Sequence, residues 1–279
     1  MNAVDNFKLD GRTVVITGGA GLLGCKHAEA VLEAGGNAVL LDISKDAIDR
    51  TLKILLDQDG SYKNRIMGAV TDITNREAIQ NICEDIILKF GTVDVLINNA
   101  ANNPKMEASA NNMGAIQFEN FPINIWMDDI AVGLTGAFLC AQVFGAQMAK
   151  QKRGVILNIS SDLGVIAPDQ RIYRKDGLKD EEQTVKPVTY SVIKHGLIGL
   201  TKYLATYYAE KGIRSNALCP AGVFNGQDEV FLKKLTNLVP MGRMADKDEY
   251  KSTILYLISD ASRYMTGSTV IVDGGRTCW

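Results

Sequence analysis

The sequence is poor in the residues that build metal centres and disulfide frameworks. It has 2 histidines, His27 and His195, and 5 cysteines, none of which form a Cys-x-x-Cys pair. The histidines lie on different predicted helices, and unpaired cysteines in odd number resemble neither a zinc site nor a disulfide framework. We therefore expect no metal cofactor, and buried free thiols in a reducing cytoplasm.

Strong net charge and long apolar runs are also missing. The net charge is −2, so no overall field attracts nucleic acid or an anionic membrane. Residues 1–12 lack the apolar core of a signal peptide, and we expect no run of the roughly 18 apolar residues that span a membrane. These absences predict a cytoplasmic protein that binds neither nucleic acid nor membrane.

The composition is that of a globular chain, with 46% hydrophobic and 22% charged residues over a length of 279. Because no repeat, composition break or low-complexity linker divides it, we predict one domain over residues 1–279.

Short β-branched runs alternate with longer segments of helical periodicity. The runs are mostly apolar throughout, as in parallel strands covered on both faces. Seven strands are predicted at 13–17, 37–42, 66–70, 93–98, 155–160, 214–218 and 269–272. Six helices are predicted at 22–34, 45–58, 76–90, 123–151, 190–211 and 246–259. This order predicts an α/β, doubly wound (Rossmann) parallel sheet with helices on both faces and ligands at the strand carboxyl ends.

A glycine-rich turn at residues 17–24 joins the first predicted strand to the first helix. Gly18 would allow the tight turn, Gly21 the close approach of a pyrophosphate, and Gly24 close packing of the helix on the sheet. The helix N-terminus offers N–H donors and the positive end of a dipole to phosphates. Glycines also make ordinary turns, but their place between strand and helix indicates a dinucleotide site.

Asp42 ends the second predicted strand, 18 residues after Gly24. A carboxylate there can accept from both hydroxyls of an adenine ribose and would repel a 2′-phosphate. No cation follows before Lys45, so the sequence favours NAD over NADP. The alternative is a solvated carboxylate at a strand end.

Tyr190 and Lys194 are spaced to lie on one helix face, a turn apart. A lysine ammonium about 4 Å from a phenol contributes roughly 4 kcal/mol at an effective dielectric of ~20. That is on the order of 3 pKa units, enough to bring the phenol from its usual ~10 towards neutral pH for proton transfer. Ser161, at the end of the preceding strand, can hold a substrate oxygen.

Together these residues resemble the short-chain dehydrogenase/reductase family over nearly the whole chain. Further motifs carry the likeness: Val-Thr-Asp-Ile-Thr at 70–74, Asn-Asn-Ala at 98–100, Asn-Ile-Ser-Ser at 158–161, Asn-Ala-Leu-Cys-Pro at 216–220, Pro-Met-Gly-Arg-Met at 240–244 and Val-Asp-Gly-Gly at 272–275. The resemblance implies that Tyr190 is the acid/base, that Lys194 lowers its pKa and holds the nicotinamide ribose, and that Ser161 positions the substrate.

The resemblance also implies a cofactor-binding set and an assembly. Asp72 would contact adenine, and the apolar stretches 130–148 and 192–208 would pair helices in a homodimer or homotetramer. The implied cofactor-binding positions are Gly18, Gly21, Leu22, Leu23, Gly24, Asp42, Ile43, Asp72, Ile73, Asn99, Ala100, Ala101, Tyr190, Lys194, Pro220, Gly222 and Val223.

Three positions depart from the family pattern. Leu22 stands in place of the middle glycine of the usual turn, and Ala221 separates Pro220 from Gly222. Gly133 replaces the asparagine that usually completes a catalytic tetrad, so either backbone and water carry the proton relay or the relay is slower.

The two segments 102–121 and 162–188 follow predicted strands on the ligand edge, so both are candidate substrate loops. Ser161 and Tyr190 are 29 residues apart, where about a dozen is usual in the family, and the extra residues are rich in charges that balance. We interpret them as a polar lid that selects the substrate; a solvated insertion that contributes to oligomer contacts is the alternative. Asn102, Asn103, Asn111 and Asn112 would add amides suited to a polyhydroxylated ligand.

The sequence around Ser161 and Tyr190 is similar to that of flagellin modification protein A-type dehydrogenases, which are found in bacterial gene clusters for surface sugars. That likeness implies a sugar or sugar-phosphate substrate. The main alternatives are a 3-oxoacyl-carrier-protein-type reductase, which Asp42 disfavours, and a non-catalytic NAD-binding sensor or scaffold, which the presence of Ser161, Tyr190 and Lys194 disfavours.

Overall fold

The computed structural model describes residues 2–102 and 117–279. Within these residues seven strands form a single parallel sheet in the order β3-β2-β1-β4-β5-β6-β7. The strands are β1 Thr13–Thr17, β2 Asn37–Asp42, β3 Ile66–Val70, β4 Val95–Asn98, β5 Gly154–Ile159, β6 Ile213–Pro220 and β7 Thr269–Val272. The predicted doubly wound α/β fold is confirmed.

Helices cover both faces of the sheet because its strands are apolar on both sides. Buried side chains of α1, α2 and α8 pack on one face with Val14 and Ile16, and those of α3, α5 and α6 pack on the other face with Val15. The helices are α1 Leu22–Glu33, α2 Lys45–Gln58, α3 Arg76–Phe90, α4 Ile123–Ile130, α5 Gly136–Gln151, α6 Val188–Tyr207, α7 Glu229–Thr236 and α8 Lys251–Ile258.

The helix predicted over 123–151 is interrupted. A π-helical turn, Ala131–Thr135, separates α4 from α5. π-Turns within α-helices commonly mark functional sites. The sequence prediction of one regular helix missed this interruption.

The same helical run corrects the expectation about apolar length. Ile123–Gln151 is long and apolar enough to cross a membrane by composition. Its second half, however, packs in the core of the sheet through Cys140, Phe144 and Met148, which are fully buried. The apolar content of this half therefore serves core packing.

Several element boundaries differ from those predicted. α7 was not predicted; it spans only eight residues and contains no buried side chain. α6 begins at Val188, two residues earlier than predicted, after Pro187 in extended conformation. β4 begins at Val95, two residues later, and α8 begins at Lys251, five residues later.

The order of the strands reverses direction between β1 and β4, which are neighbours in the sheet. In folds of this kind, the crevice at the carboxyl ends of the strands at such a point binds the ligand. The glycine turn after β1, the turn after β4 and the segment after β5 all lie at this edge. Asn103, Asn111 and Asn112 lie outside the described residues.

Candidate active site

The turn after β1 brings backbone segments too close together for side chains. Gly18 has φ of 59°, and a Cβ there would lie 2.9 Å from the Cα of Ala100. A Cβ on Gly24 would overlap the carbonyl oxygen of Gly18, and one on Gly19 would lie 2.8 Å from the Cα of Leu40. Gly19 was not singled out in the sequence, because its contact is with the neighbouring strand β2.

The start of α1 fits the phosphates of a dinucleotide. Its N-cap residue is Gly21, and no side chain of the described residues caps the first turn. The N-terminal N–H groups therefore face the sheet edge without a side-chain acceptor, as a phosphate-binding helix requires. Leu22 and Ile43 are exposed beside this turn, where apolar groups of a bound nucleotide could contact them.

Asp42 lies at the carboxyl end of β2 beside the glycine turn. One carboxylate oxygen accepts from the backbone N–H of Ala20 at 3.3 Å and the other from that of Ser44 at 3.1 Å. Lys45, the first cation after Asp42 in the sequence, forms an ion pair with Asp49 at 2.6 Å. The carboxylate is thus fixed at the position expected for ribose recognition.

The residues after β4 are tied to the glycine turn. The side-chain amide of Asn99 donates to the carbonyl oxygens of Thr17 and Gly18 at 3.0 and 3.1 Å. The N–H of Ala100 donates to the hydroxyl of Thr17 at 3.1 Å, and Ala101 is exposed beyond it. Thr17, which the sequence analysis did not select, therefore joins the two turns.

The other predicted cofactor positions are placed as follows. Asp72 is exposed after β3, and its carboxylate accepts from the N–H and hydroxyl of Thr74. Ile73 is buried against Gly136 of α5, so its side chain belongs to the core. Leu23 is half-buried in the first turn of α1.

The loop after β6 is held by a second segment. Pro220 ends β6, Val223 pairs with Ala245 in an isolated bridge, and the N–H of Ala245 donates to the carbonyl of Gly222 at 3.2 Å. A Cβ on Gly222 would lie 2.9 Å from the methyl carbon of Met244. The loop is therefore anchored although Ala221 interrupts the usual Pro-Gly.

The three predicted catalytic residues come together at the end of β5 and the start of α6. Ser161 is buried, and its side chain lies close enough to the Tyr190 phenol to act on its pKa. Lys194 is buried one turn further along α6, with its ammonium 5.6 Å from the centre of the Tyr190 ring. That ammonium donates to the carbonyl oxygen of Ile159 at 2.9 Å.

Two buried hydrogen bonds fix α6 in this position. The hydroxyl of Thr189 donates to the carboxylate of Asp129 in α4 at 2.6 Å. The hydroxyl of Ser160 donates to the backbone carbonyl of Lys194 at 2.7 Å. Because both bonds flank Tyr190 in the chain, they restrict where its ring can lie.

The protonation of these groups differs from the sequence prediction. Burial raises the pKa of Tyr190 above its usual value, and the contact with Ser161 opposes this only in part. Burial, followed by repulsion from Lys186, lowers the pKa of Lys194 to about 8. The predicted lowering of the Tyr190 pKa by Lys194 is therefore wrong for this arrangement, because desolvation of the phenol dominates.

Gly133 lies in the π-turn and is buried. A Cβ at this position would lie 2.8 Å from Cγ2 and 2.9 Å from Cδ1 of Ile193, which follows Tyr190 on α6. The side chain of Ile193 thus fills the space that the usual asparagine would need.

We expect Gly133→Asn to lower the free energy of unfolding by about 1–3 kcal/mol, because it overpacks this contact. Urea unfolding of Gly133→Asn, Ile193→Ala and the double variant tests the expectation. Removal of the Ile193 side chain should relieve the clash, so that the double variant is more stable than the sum of the single changes predicts. Additive losses, or a Gly133→Asn protein as stable as the parent, would disprove the clash.

The segment 162–188 folds over Tyr190 and has an internal polar centre. The side chain of Gln183 is buried and bonds to the backbone of Lys175 and Leu178 at 2.8–3.0 Å. Tyr173 packs against Phe231 of α7, with ring centres 5.6 Å apart. The segment is therefore a structured cover on the active site.

Two residues of this cover reach the catalytic group, and the sequence analysis did not assign them a role. The carboxylate of Asp162 accepts from the hydroxyl of Ser161 at 2.6 Å. The ammonium of Lys186 lies 3.9 Å from the centre of the Tyr190 ring. The only sequence signal for the contact between Asp162 and Ser161 is that the two residues are adjacent in the chain.

All five cysteines lie in the described part of the chain and are free thiols. Among these same residues, no group of three or more His, Cys, Asp or Glu side chains is arranged to hold a metal ion.

Comparison with known proteins identifies the family. The family profile described as short chain dehydrogenase matches residues 12–173. The chain belongs to the short-chain dehydrogenase/reductase family. A second profile, described as Enoyl-(Acyl carrier protein) reductase, matches residues 178–277. Members of this family are oxidoreductases that bind a nicotinamide cofactor.

Individual members are similar over almost their whole length. An uncharacterized oxidoreductase of Thermotoga maritima is 32% identical over 98% of this chain and 99% of its own. The D-threitol dehydrogenase of Mycolicibacterium smegmatis is 26% identical over 98% and 95%. A short-chain dehydrogenase/reductase structure from Mycobacterium marinum superimposes with a TM-score of 0.83, 26% identity and complete coverage of both chains.

The resemblance to flagellin modification protein A-type dehydrogenases is matched by one similar protein. The post-translational flagellin modification protein A of Campylobacter coli is 27% identical over 96% of this chain and 98% of its own. Its identity is lower than that of the Thermotoga protein, so it supports membership of the family and leaves the substrate open.

Proposed function

We propose that the protein is an NAD-dependent dehydrogenase that interconverts a secondary alcohol and its ketone in a sugar or sugar phosphate. The observation that carries the proposal is the group formed by Ser161, Tyr190 and Lys194, which lies at the same sheet edge as the glycine turn. A dinucleotide cradle and a proton-transfer group at one edge suit hydride chemistry.

The residues of the chain account for the proton and for substrate orientation. When bound, the nicotinamide cofactor supplies or accepts the hydride at the substrate carbon. Tyr190, whose raised pKa keeps it protonated at neutral pH, donates a proton to the substrate oxygen in reduction. In alcohol oxidation the phenolate accepts the hydroxyl proton, and Ser161 orients the same oxygen. The glycine turn, Asp42 and Lys194 would hold the cofactor.

The preference for NAD rests on Asp42. Its carboxylate is fixed beside the glycine turn by two backbone N–H groups, where it would repel a 2′-phosphate. Lys45, the first cation after it, is engaged by Asp49. Both features favour a ribose with free hydroxyls.

The proposal of a sugar-type substrate rests on two further observations. Polyol dehydrogenases recur among the relatives. The cover formed by 162–188 presents polar and charged groups, Asp162 and Lys186 among them, to the catalytic tyrosine. Polar and charged groups beside the tyrosine suit a hydroxylated substrate.

A 3-oxoacyl-carrier-protein-type reductase is the second candidate, because a 3-oxoacyl-[acyl-carrier-protein] reductase of Thermotoga maritima is 30% identical over 96% of this chain and 99% of its own. Asp42 argues against this function, because such biosynthetic reductases usually use NADPH and the carboxylate would repel its 2′-phosphate. A non-catalytic sensor or scaffold would bind the cofactor without turnover.

A panel of substrates, each tested with NAD and with NADP, discriminates between these functions. We expect reduction of NAD, faster than that of NADP, with at least one alditol, aldonate or sugar phosphate. Reduction of an acetoacetyl thioester with NADPH but no polyol turnover would favour the acyl reductase. Tight NADH binding without turnover of any compound would favour the sensor.

We also propose that copies of the chain associate through α5 and α6. Phe138, Tyr203 and Tyr207 on these helices are about half or more exposed, which is unusual for aromatic side chains outside an interface.

A further inference from the structure

Lys186 holds an unusual place above the catalytic tyrosine. Its ammonium lies 3.9 Å from the centre of the Tyr190 ring, closer than the 5.6 Å of Lys194. Burial lowers the pKa of Lys186 to about 8. At neutral pH the side chain is therefore mostly charged, and it lies over the ring of the tyrosine that exchanges the proton.

This ammonium has no close anionic partner among residues 2–102 and 117–279. Its ammonium contacts the face of the Tyr190 ring, and no carboxylate of these residues forms an ion pair with it. The nearest opposing charge is Asp162, which is already engaged by the hydroxyl of Ser161 at 2.6 Å and the N–H of Leu163 at 2.8 Å. The side chain is half-buried, so its charge is partly desolvated and no ion pair among these residues compensates for it.

The backbone holds Lys186 in this place. Its N–H donates to the side-chain oxygen of Gln170 at 2.8 Å, and its carbonyl accepts from the amide of the same residue at 3.4 Å. Pro187 follows and precedes α6 directly. The backbone is therefore fixed on both sides of the residue, and the side chain reaches the face of the Tyr190 ring from this anchored position.

A second cation approaches the same carboxylate. Arg276, half-buried after β7, contributes to lowering the pKa of Asp162, although burial raises that pKa overall. Within the described residues no ion pair engages its guanidinium. Positive charge from two separate segments, the cover and the carboxyl-terminal residues, thus faces the region between Asp162 and Tyr190.

We propose that Lys186 binds an anionic oxygen group of the substrate, a carboxylate or a phosphate, with Arg276 adding to the positive field. The inference rests on the proposed dehydrogenase function and narrows its substrate to acidic sugar derivatives. Because the ammonium lies over the ring that carries the proton-transferring hydroxyl, the anionic group and the reacting hydroxyl must belong to one small substrate. A charge-assisted hydrogen bond to the anion completes the pairing that Lys186 lacks.

Three compounds with the same six-carbon chain test this proposal: sorbitol, gluconate and sorbitol 6-phosphate. We expect the protein to turn over at least one of the two anions with kcat/KM about 10- to 100-fold above that of sorbitol, as a charged hydrogen bond warrants. The preferred anion identifies the group as carboxylate or phosphate.

Substitutions then assign the preference to Lys186. Lys186→Gln should reduce the ratio of kcat/KM for the preferred anion to that for sorbitol about 10-fold or more, and Lys186→Arg should retain most of it. Lys175→Gln, which removes an exposed lysine of the same segment, should leave the ratio unchanged. If Lys186→Gln lowers kcat/KM equally for all three compounds, Lys186 acts on Tyr190 rather than on the substrate and the proposal fails.

A binding measurement separates this failure from that of the proposed function. Gluconate and sorbitol 6-phosphate are titrated calorimetrically into the NADH-loaded protein and into its Lys186→Gln variant. Anion binding that is lost in the variant supports the subsite even if none of the three compounds turns over. Absence of binding, or binding unchanged in the variant, overturns it even if neutral polyols are oxidised.

Discussion

Tyr190→Phe is expected to lower kcat for alcohol oxidation about 10²- to 10⁴-fold, the range that a positioned acid/base contributes. The phenylalanine ring keeps the contact with Lys186 and the packing at the start of α6, and only the proton-bearing oxygen is lost. Steady-state kinetics with the fastest substrate of the panel measures the effect. NADH affinity, measured by fluorescence titration, should stay within about twofold of the parent value.

The matched control is Tyr203→Phe, which removes a phenol oxygen from the same helix. Tyr203 is 63% exposed and lies more than three turns of α6 beyond Tyr190, and the variant keeps the ring that we place in the association surface, so loss of the oxygen should change neither turnover nor NADH affinity. A Tyr190→Phe protein with parental turnover would remove Tyr190 from the chemistry. Loss of NADH binding in that variant would instead assign it a cofactor-holding role.

Gly24→Ala should abolish tight cofactor binding. The added methyl overlaps the carbonyl oxygen of Gly18 and comes within 2.8 Å of the Cα of Gly19, and both are backbone atoms. The turn can accommodate it only by opening, which moves the N–H groups of α1 away from the phosphates. We expect the NADH dissociation constant to rise at least about tenfold and overpacking to lower stability by about 1–3 kcal/mol.

Gly199→Ala serves as its control, because Gly199 lies within α6 and nothing is within 4 Å of the added methyl. There the substitution should stabilise the protein by about 0.5–1 kcal/mol and leave NADH affinity unchanged. Circular dichroism establishes that Gly24→Ala remains folded at the assay temperature. Parental NADH affinity in a folded Gly24→Ala protein would mean that the dinucleotide binds elsewhere.

The parallel sheet could be predicted from sequence because its strands are apolar on both faces. Runs such as Val14, Val15 and Ile16 have no polar side, and in the structure they contact both cores. The glycine turn was predictable for a similar reason, since strand, turn and helix follow one another at fixed spacing. Local patterns of this kind need no knowledge of distant contacts.

The π-turn and α7 could not be predicted in this way. The π-turn depends on the contact between Gly133 and Ile193, which are 60 residues apart and meet only when α4 and α6 pack. α7 depends on Asp228 as its N-cap and on contacts with the cover, as between Phe231 and Tyr173. The π-turn leaves no periodic pattern in the sequence, and α7, with eight residues, is too short for its pattern to stand out from the surrounding loop.

Electrostatics of the site were the least predictable part. The spacing of Tyr190 and Lys194 gives their proximity but not their desolvation, which reverses the expected direction of the Tyr190 pKa. The segment that contains Lys186 has balanced charges, so counting them suggested no anionic ligand. In the structure Lys186 is partly desolvated and forms no ion pair with the acidic residues of its segment, and this depends on the tertiary fold.

The pH dependence of kcat/KM in both directions tests the central role of Tyr190 most directly. Below about pH 8, where Lys194 is mostly charged, the phenol with its raised pKa is overwhelmingly protonated. Its phenolate fraction then grows about tenfold per pH unit. Between about pH 6 and about pH 8 we predict that kcat/KM for alcohol oxidation rises roughly 100-fold while that for ketone reduction stays nearly constant. Oxidation that is independent of pH over this range would contradict the account, because a group other than the buried phenol would then accept the proton.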